Sequence, residues 1–244
     1  MGAAAFVYGV VSYIVFLGSF LYAIGFVGNL LVPKSIDTGP AGPVVEALLV
    51  NALLLGLFAV QHSVMARRGF KRWWTRFVPQ SVERSTYVLI SSLLLLLLYW
   101  GWQPILGVVW QVENRVGVMA LEALCWLGWA GVLYCTFTID HFDLFGLRQV
   151  WFRLRGIEYV PVPFVQSRLY KLVRHPLMVG FLIAFWSTPT MTQGHLLFSV
   201  AITGYVLLGI FLEERDLVQV HGEAYVQYRR EVRMLLPLRR RTSR

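Results

Sequence analysis

The amino-acid sequence predicts an all-α, polytopic membrane protein with about six transmembrane helices, and three observations carry that prediction. Mean hydropathy is +0.61, and 57% of the 244 residues are hydrophobic and 15% aromatic, more apolar material than a water-exposed fold accommodates. Apolar windows recur at or near the length that crosses about 30 Å of hydrocarbon. Basic residues collect in alternate loops, as the positive-inside rule requires.

The windows fall at residues 3–32, 44–65, 87–102, 117–139, 177–190 and 194–212. The first is long enough to cross at a tilt, and with no basic stretch before it and no small-residue cleavage site it reads as a retained helix. The fifth is short and is expected to pair with the sixth as a tight hairpin turned at Met191, Thr192, Gln193 and Gly194. Residues 1–244 read as one integral membrane domain. Helices one to four occupy 1–139, a cytoplasmic connection 140–176, the hairpin 177–212 and a cytoplasmic C-terminal segment 213–244.

Arg67, Arg68, Lys71, Arg72, Arg76 and Arg84 follow the second window, and Arg148, Arg153, Arg155, Arg168, Lys171 and Arg174 follow the fourth. Arg215, Arg229, Arg230, Arg233, Arg239, Arg240, Arg241 and Arg244 follow the sixth, leaving Lys34 and Arg115 opposite. Both termini are therefore expected in the cytoplasm. The net charge of +9 reads as topology and contact with anionic lipid, not as nucleic-acid binding, because no stacking module interleaves with the arginines. Trp73, Trp74 and Phe77 beside Lys71, Arg72 and Arg76 read as an interfacial anchor. The connection after the fourth window is rich in aromatics, carries Pro161 and Pro163, and is expected to lie along the cytoplasmic face. Cys125 and Cys135 stand too far apart on one helix to bond and match no metal-ligand spacing, so no metal is expected.

Chemistry concentrates in K-L-V-R-H-P-L-M-V-G at 171–180 and E-E-R-D-L-V-Q-V-H-G-E-A-Y-V-Q-Y at 213–228. Pro176 suits a first helical turn, where a missing N–H costs nothing. Arg174 and His175 then stand at a helix N-terminus that favours an anion, or else Arg174 reaches to lipid phosphate and His175 merely caps. Glu213 and Glu214 end the sixth window, where carboxylates need a cation. Arg174, Arg215 or Arg229 could supply it, or a ligand bearing an ammonium group or a sugar diol. A zwitterionic ligand would satisfy both ends of the hairpin. Leu217, Val220, Tyr225, Tyr228 and Val232 follow a helical spacing that Gly222 interrupts, and Tyr225 and Tyr228 share a face, either packing or walling a pocket.

R-H-P-L-M-V-G, then E-E-R-D-L, then G-E-A-Y-V-Q-Y-R-R-E-V resembles the C-terminal signature of the isoprenylcysteine carboxyl methyltransferase superfamily, over roughly the last 75 residues. Upstream, Q-H-S-V-M-A-R at 61–67, V-P-Q-S-V-E-R-S-T-Y at 78–87 and H-F-D-L-F-G-L-R-Q-V-W at 141–151 resemble the nurim-like group. Within it, nearly the whole chain is similar to the bacterial methanethiol S-methyltransferases. The resemblance implies S-adenosylmethionine as cofactor, methanethiol as acceptor, dimethyl sulfide as product and the bacterial inner membrane as location. It also implies that Tyr170, His175, Pro176, Leu177 and Met178 line the cofactor site, with Glu213 and Glu214 holding the cofactor from the sixth helix. Arg174, Tyr225 and Tyr228 join them as members of the two-ended clamp, and residues 162–165 match a further cofactor-contacting stretch. Two departures stand out. Met178 replaces a tyrosine common in the superfamily, and Gly209 falls where the carboxyl methyltransferases place the arginine for their substrate carboxylate, which argues against a carboxylate acceptor.

A thiol acceptor must lose its proton. His62 lies about one turn inside the Arg67 boundary, and His141 and Asp143 directly follow the fourth window; each either serves as the base or is satisfied locally. Two classes of alternative stay open: a lipid or prenyl-thiol acceptor, and a non-enzymatic nurim-like membrane protein. Gly25, Gly28, Gly128 and Gly131 would permit close helix contact within or between chains, so the oligomeric state is left unspecified.

Overall fold

The computed structural model describes residues 2–161 and 169–237. The stretch expected at 162–165, Arg168 and the arginines beyond 237 lie outside the described residues. The chain divides into two compact units. One comprises Met1–Val109, Asp140–Val162 and Thr192–Leu196; the other comprises Trp110–Ile139, Pro163–Met191 and Leu197–Arg244.

The first unit holds α1 (Gly2–Gly28), α2 (Val44–Ala66), α3 (Arg68–Trp74), α4 (Gln80–Gly101), α6 (His141–Leu144) and α7 (Leu147–Arg155). Pro43 and Pro79 sit at the N-caps of α2 and α4 with φ near −57° and −54°, where a missing N–H and a fixed φ suit the entry to a helix. Tyr8 of α1 donates to Thr86 of α4 at 2.9 Å, and the Tyr22 and Tyr99 rings stack at 5.4 Å. Asn51 of α2 grips the end of α4 through both backbone groups of Gln103, donating to its carbonyl at 2.8 Å and accepting from its N–H at 2.9 Å. Gly146, in the left-handed region at φ +88°, packs on Ser85, where any side chain would collide.

In the second unit are α5 (Arg115–Ile139), a 3-10 turn (Leu169–Lys171), α8 (Pro176–Trp186) and α10 (Glu223–Glu231), with all but the start of α9 (Gln193–His221). The strands β1 (Val108–Gln111) and β2 (Thr190–Thr192) are only four and three residues long. The backbones of α5 and α8 nearly touch. A methyl group on Gly128 would lie 2.6 Å from the Ala184 nitrogen, and one on Gly180 would lie 2.9 Å from the Gly128 carbonyl. Small residues at a crossing allow this approach in a bilayer. Gly131 faces open space.

Among the described residues, five helices, α1, α2, α4, α5 and α9, are long and apolar enough to cross a membrane. The protein is an integral membrane protein of all-α class. The fifth predicted helix is shorter than its window: α8 ends at Trp186 after 11 residues, about 16 Å at 1.5 Å per residue. The chain then turns at residues 187–189, where the Thr188 N–H donates to the Trp186 carbonyl at 3.1 Å, before the short strand β2. Two carbonyls of this turn are occupied within the unit: Thr188 accepts from Trp110 Nε1 at 3.3 Å and Pro189 from the Val112 N–H at 2.9 Å. A second correction concerns the glutamates. The helix does not stop at residue 212 but continues to His221, so Glu213 and Glu214 lie inside α9 and do not oppose its C-terminal dipole. Gly222, at φ +56°, supplies the break before α10.

Candidate functional site

The residues singled out near the C-terminus come together in the second unit. Glu214, with its side chain 7% exposed, accepts from Arg174 Nε at 2.6 Å and His175 Nε2 at 3.0 Å on one oxygen, and pairs with Arg229 Nε at 3.0 Å through the other. Arg174 turns its Nη1 to the carbonyls of Arg229 at 3.2 Å and Val232 at 2.5 Å. The backbone N–H groups of Arg174 and His175 donate to the carbonyls of Arg233 and Met234 at 2.8 and 3.2 Å. Of the partners read from sequence for Glu214, Arg174 and Arg229 are therefore the ones that bind it. The donors expected to face an anion at 174 and 175 are spent on the strand-like segment 232–234, which the sequence did not single out beyond Val232. The residues carrying this latch are consecutive with, or one turn from, those that could meet a ligand.

Glu213 points differently. One step of 100° along α9 leaves its side chain 49% exposed, with its Oε2 3.6 Å from His175 Nδ1, beyond a hydrogen bond. Because a carboxylate only accepts, His175 Nε2 carries the hydrogen that it gives to Glu214. Tyr225 and Tyr228 are 2% and 4% exposed, and the Tyr228 hydroxyl donates to the Tyr170 carbonyl at 2.6 Å. Burial raises the Tyr170 and Tyr225 hydroxyls above their usual range and pushes Tyr228 up to about 12, so all three are neutral. Pro176 is buried at the first turn of α8, and Leu177 and Met178 are half-buried beside it.

The three candidate bases lie in the first unit, in two clusters. His62 of α2 has its Nδ1 3.2 Å from Ser91 Oγ of α4 and 3.1 Å from the Tyr87 hydroxyl, and its Nε2 2.9 Å from that same hydroxyl. His141, buried at the start of α6, meets the Tyr13 hydroxyl at 2.8 Å through Nε2, and burial holds its pKa below the usual histidine value. Asp143 accepts from Tyr159 at 2.8 Å and Gln149 at 3.3 Å and lies 3.8 Å from Arg148. Burial first, then the Asp143 carboxylate, push Tyr159 up to about 12. Sequence reasoning missed Tyr13, Ser91, Gln149 and Tyr159, since each partner lies on a different element. Tyr87 closes the motif at 78–87 but gave no sign of its role.

The chain is 58% identical over 231 residues to the methanethiol S-methyltransferase of Mycobacterium tuberculosis, covering 95% of both chains. It is 55% identical over 243 residues to methanethiol S-methyltransferase 2 of Bradyrhizobium diazoefficiens, covering 98% of this chain and 93% of that one. At greater distance it is 30% identical over 182 residues to mouse Nurim, covering 71% of this chain and 69% of Nurim. No family model and no solved structure matches it. At such identity over nearly the whole of both chains, this protein belongs to the methanethiol S-methyltransferase family.

Proposed function

We propose that the protein transfers a methyl group from S-adenosylmethionine to methanethiol, yielding dimethyl sulfide. The observation that carries this reading is the 58% identity with a methanethiol S-methyltransferase across 95% of the chain. Support for the donor comes from the kinds of group gathered around α8 and α9. An exposed carboxylate, Glu213, suits an ammonium group or a ribose diol, while buried neutral tyrosines and the half-buried Leu177 and Met178 suit an adenosyl or thioether surface. In this reading Tyr170, His175, Pro176, Leu177, Met178, Glu213, Tyr225 and Tyr228 border the cofactor, and Arg174 and Glu214 hold that border in shape. Once bound, the sulfonium supplies an electrophilic methyl group.

The protein's own tasks are to orient the reactants, exclude water and accept the thiol proton. The thiol sulfur attacks the methyl carbon in line, and the bond to the donor sulfur breaks with its electron pair left on that sulfur. Methanethiol gives up one proton as this happens, and we assign it to His62, with His141 and Asp143 as supports of their own cluster. Two ring partners of His62 are hydroxyls, those of Ser91 and Tyr87. Asp143 is already engaged by Tyr159, Gln149 and Arg148. The distribution of basic residues supports a reading in which the termini and the cofactor residues lie at the cytoplasmic face of a bacterial inner membrane, in contact with anionic lipid.

Purified protein given S-adenosylmethionine and methanethiol should release dimethyl sulfide, measured by headspace gas chromatography. Saturable binding of S-adenosylhomocysteine without any dimethyl sulfide would reject methanethiol and point to a larger thiol acceptor. No binding and no product would reject the reading altogether.

A further inference from the structure

Within the first unit, α7 lies on the opening turns of α1 at a close seat. A methyl group on Gly9 would stand 2.5 Å from Val150 Cγ2, and Val150, like Gln149 before it, is buried. A different stripe of the same helix is built from Arg148, Trp151, Phe152 and Arg155, spaced at i, i+3, i+4 and i+7. Along it each guanidinium lies over a ring, Arg148 over Phe152 at 5.2 Å and Arg155 over Trp151 at 5.5 Å. Beside the stripe runs an open groove of about 500 Å³, lined by Phe6 and Val10 of α1 together with Phe142, Leu147, Trp151 and Phe152, and edged by Asp140 and Arg148. Phe6 and Trp151 meet with their ring centroids 5.8 Å apart, while Phe142 and Trp151 remain about half exposed. The volume falls within the range of small-molecule sites, about 300–1,000 Å³.

Charge distinguishes the two ends of the stripe. Arg148 is held 3.2 Å from Asp140 and 3.8 Å from Asp143, so its charge is answered within the protein. Arg155 stands exposed in the last turn of α7, as does Arg153. Seven residues separate the two stripe arginines, about 10 Å of helix, and the apolar lining lies alongside that interval. An aromatic and aliphatic floor with an accessible guanidinium at one end complements a fatty-acyl chain that carries an anionic headgroup. Because α1 is long and apolar enough to cross the membrane, a groove floored by its residues 6 and 10 adjoins the surface that lipid covers.

We infer that the groove between α1 and α7 is a binding site for an anionic phospholipid, one acyl chain lying against Phe6, Val10, Phe142 and Trp151 and the phosphate meeting Arg155. This rests on the reading above that the basic residues contact anionic lipid, and it narrows that contact to one seat. A guanidinium offers two parallel donors to a phosphate, and the Trp151 ring supports it from the other side.

Native mass spectrometry of the full-length protein in detergent tests this, with phosphatidylglycerol or phosphatidylcholine of the same acyl chains added. The unaltered protein should retain one phosphatidylglycerol in preference to phosphatidylcholine. Arg155→Gln should lower that retention about five-fold, the scale of one arginine at an anionic surface. Arg72→Gln, which removes the same charge from the exposed surface of α3, should leave it unchanged. A phosphatidylglycerol with a diazirine in its acyl chain should label peptides that contain residues 6–10 or 142–152. No preference for phosphatidylglycerol in the unaltered protein would overturn both the anionic-lipid reading and this site. A preference that Arg155→Gln and Arg72→Gln weaken equally, or labelling confined to other peptides, would leave that reading standing and overturn the groove.

Discussion

At the scale of single residues, the two adjacent glutamates divide one task. Glu214 is buried among Arg174, His175 and Arg229, whereas Glu213 is half exposed. Replacing Arg174 by methionine strands the Glu214 carboxylate with fewer partners, and breaking a buried pair in this way costs about 3 kcal/mol or more. The thermal midpoint in detergent should fall accordingly. Glu213→Gln should change stability by no more than about 0.5 kcal/mol, yet weaken S-adenosylhomocysteine binding in calorimetric titration. His141 makes a prediction about acid. Burial holds its folded pKa below the unfolded value of about 6.5, with Asp140 pulling it partly back. The unfolded chain therefore takes up the proton first, and the stability due to neutral His141 is complete above about pH 6.5 and is lost as pH falls from there towards the folded pKa. Between pH 7.5 and 5.5 the thermal midpoint should drop further in the unaltered protein than in His141→Gln.

At the scale of elements, what decides behaviour is how closely helices approach. The sequence offered Gly128 and Gly131 as equal candidates for close contact, and only Gly128 meets a backbone. Gly128→Ala should push α5 from α8 and destabilise the unit by about 1–3 kcal/mol. Gly131→Ala should be neutral or stabilise by up to about 1 kcal/mol, because alanine is the better helix former. Thermal unfolding of the two variants side by side checks the contrast. The same scale shows why helix ends were hard to read. Hydropathy falls at Glu213, but helical hydrogen bonding continues to His221, since the ion pairs of Glu214 satisfy a charge that a hydropathy window only penalises.

At the scale of the whole molecule, the spanning windows were legible because lipid imposes one rule on every residue of a crossing, and four of the five long helices begin within two residues of their windows. The cluster proposed to border the cofactor was legible as a set of residues, through its motifs, but its division between buried latch and exposed carboxylate was not. That division depends on side-chain direction and on a carbonyl-rich segment, 232–234, with no distinctive composition. The His62 network was legible only as one histidine. If α8 and the chain after it together make one crossing, both termini lie on the same side. Reporter fusions at the N-terminus and the C-terminus should then both read as cytoplasmic, and opposite readings would show that this segment turns back within the membrane. Such a crossing also answers bilayer thickness in its own way. A continuous helix meets a thinner or thicker membrane by changing its inclination. Here the chain just after α8 is tied to its neighbours, Thr188 by Trp110 and Pro189 by Val112, through hydrogen bonds. Acyl-chain length therefore becomes a variable that the stability of this part should report.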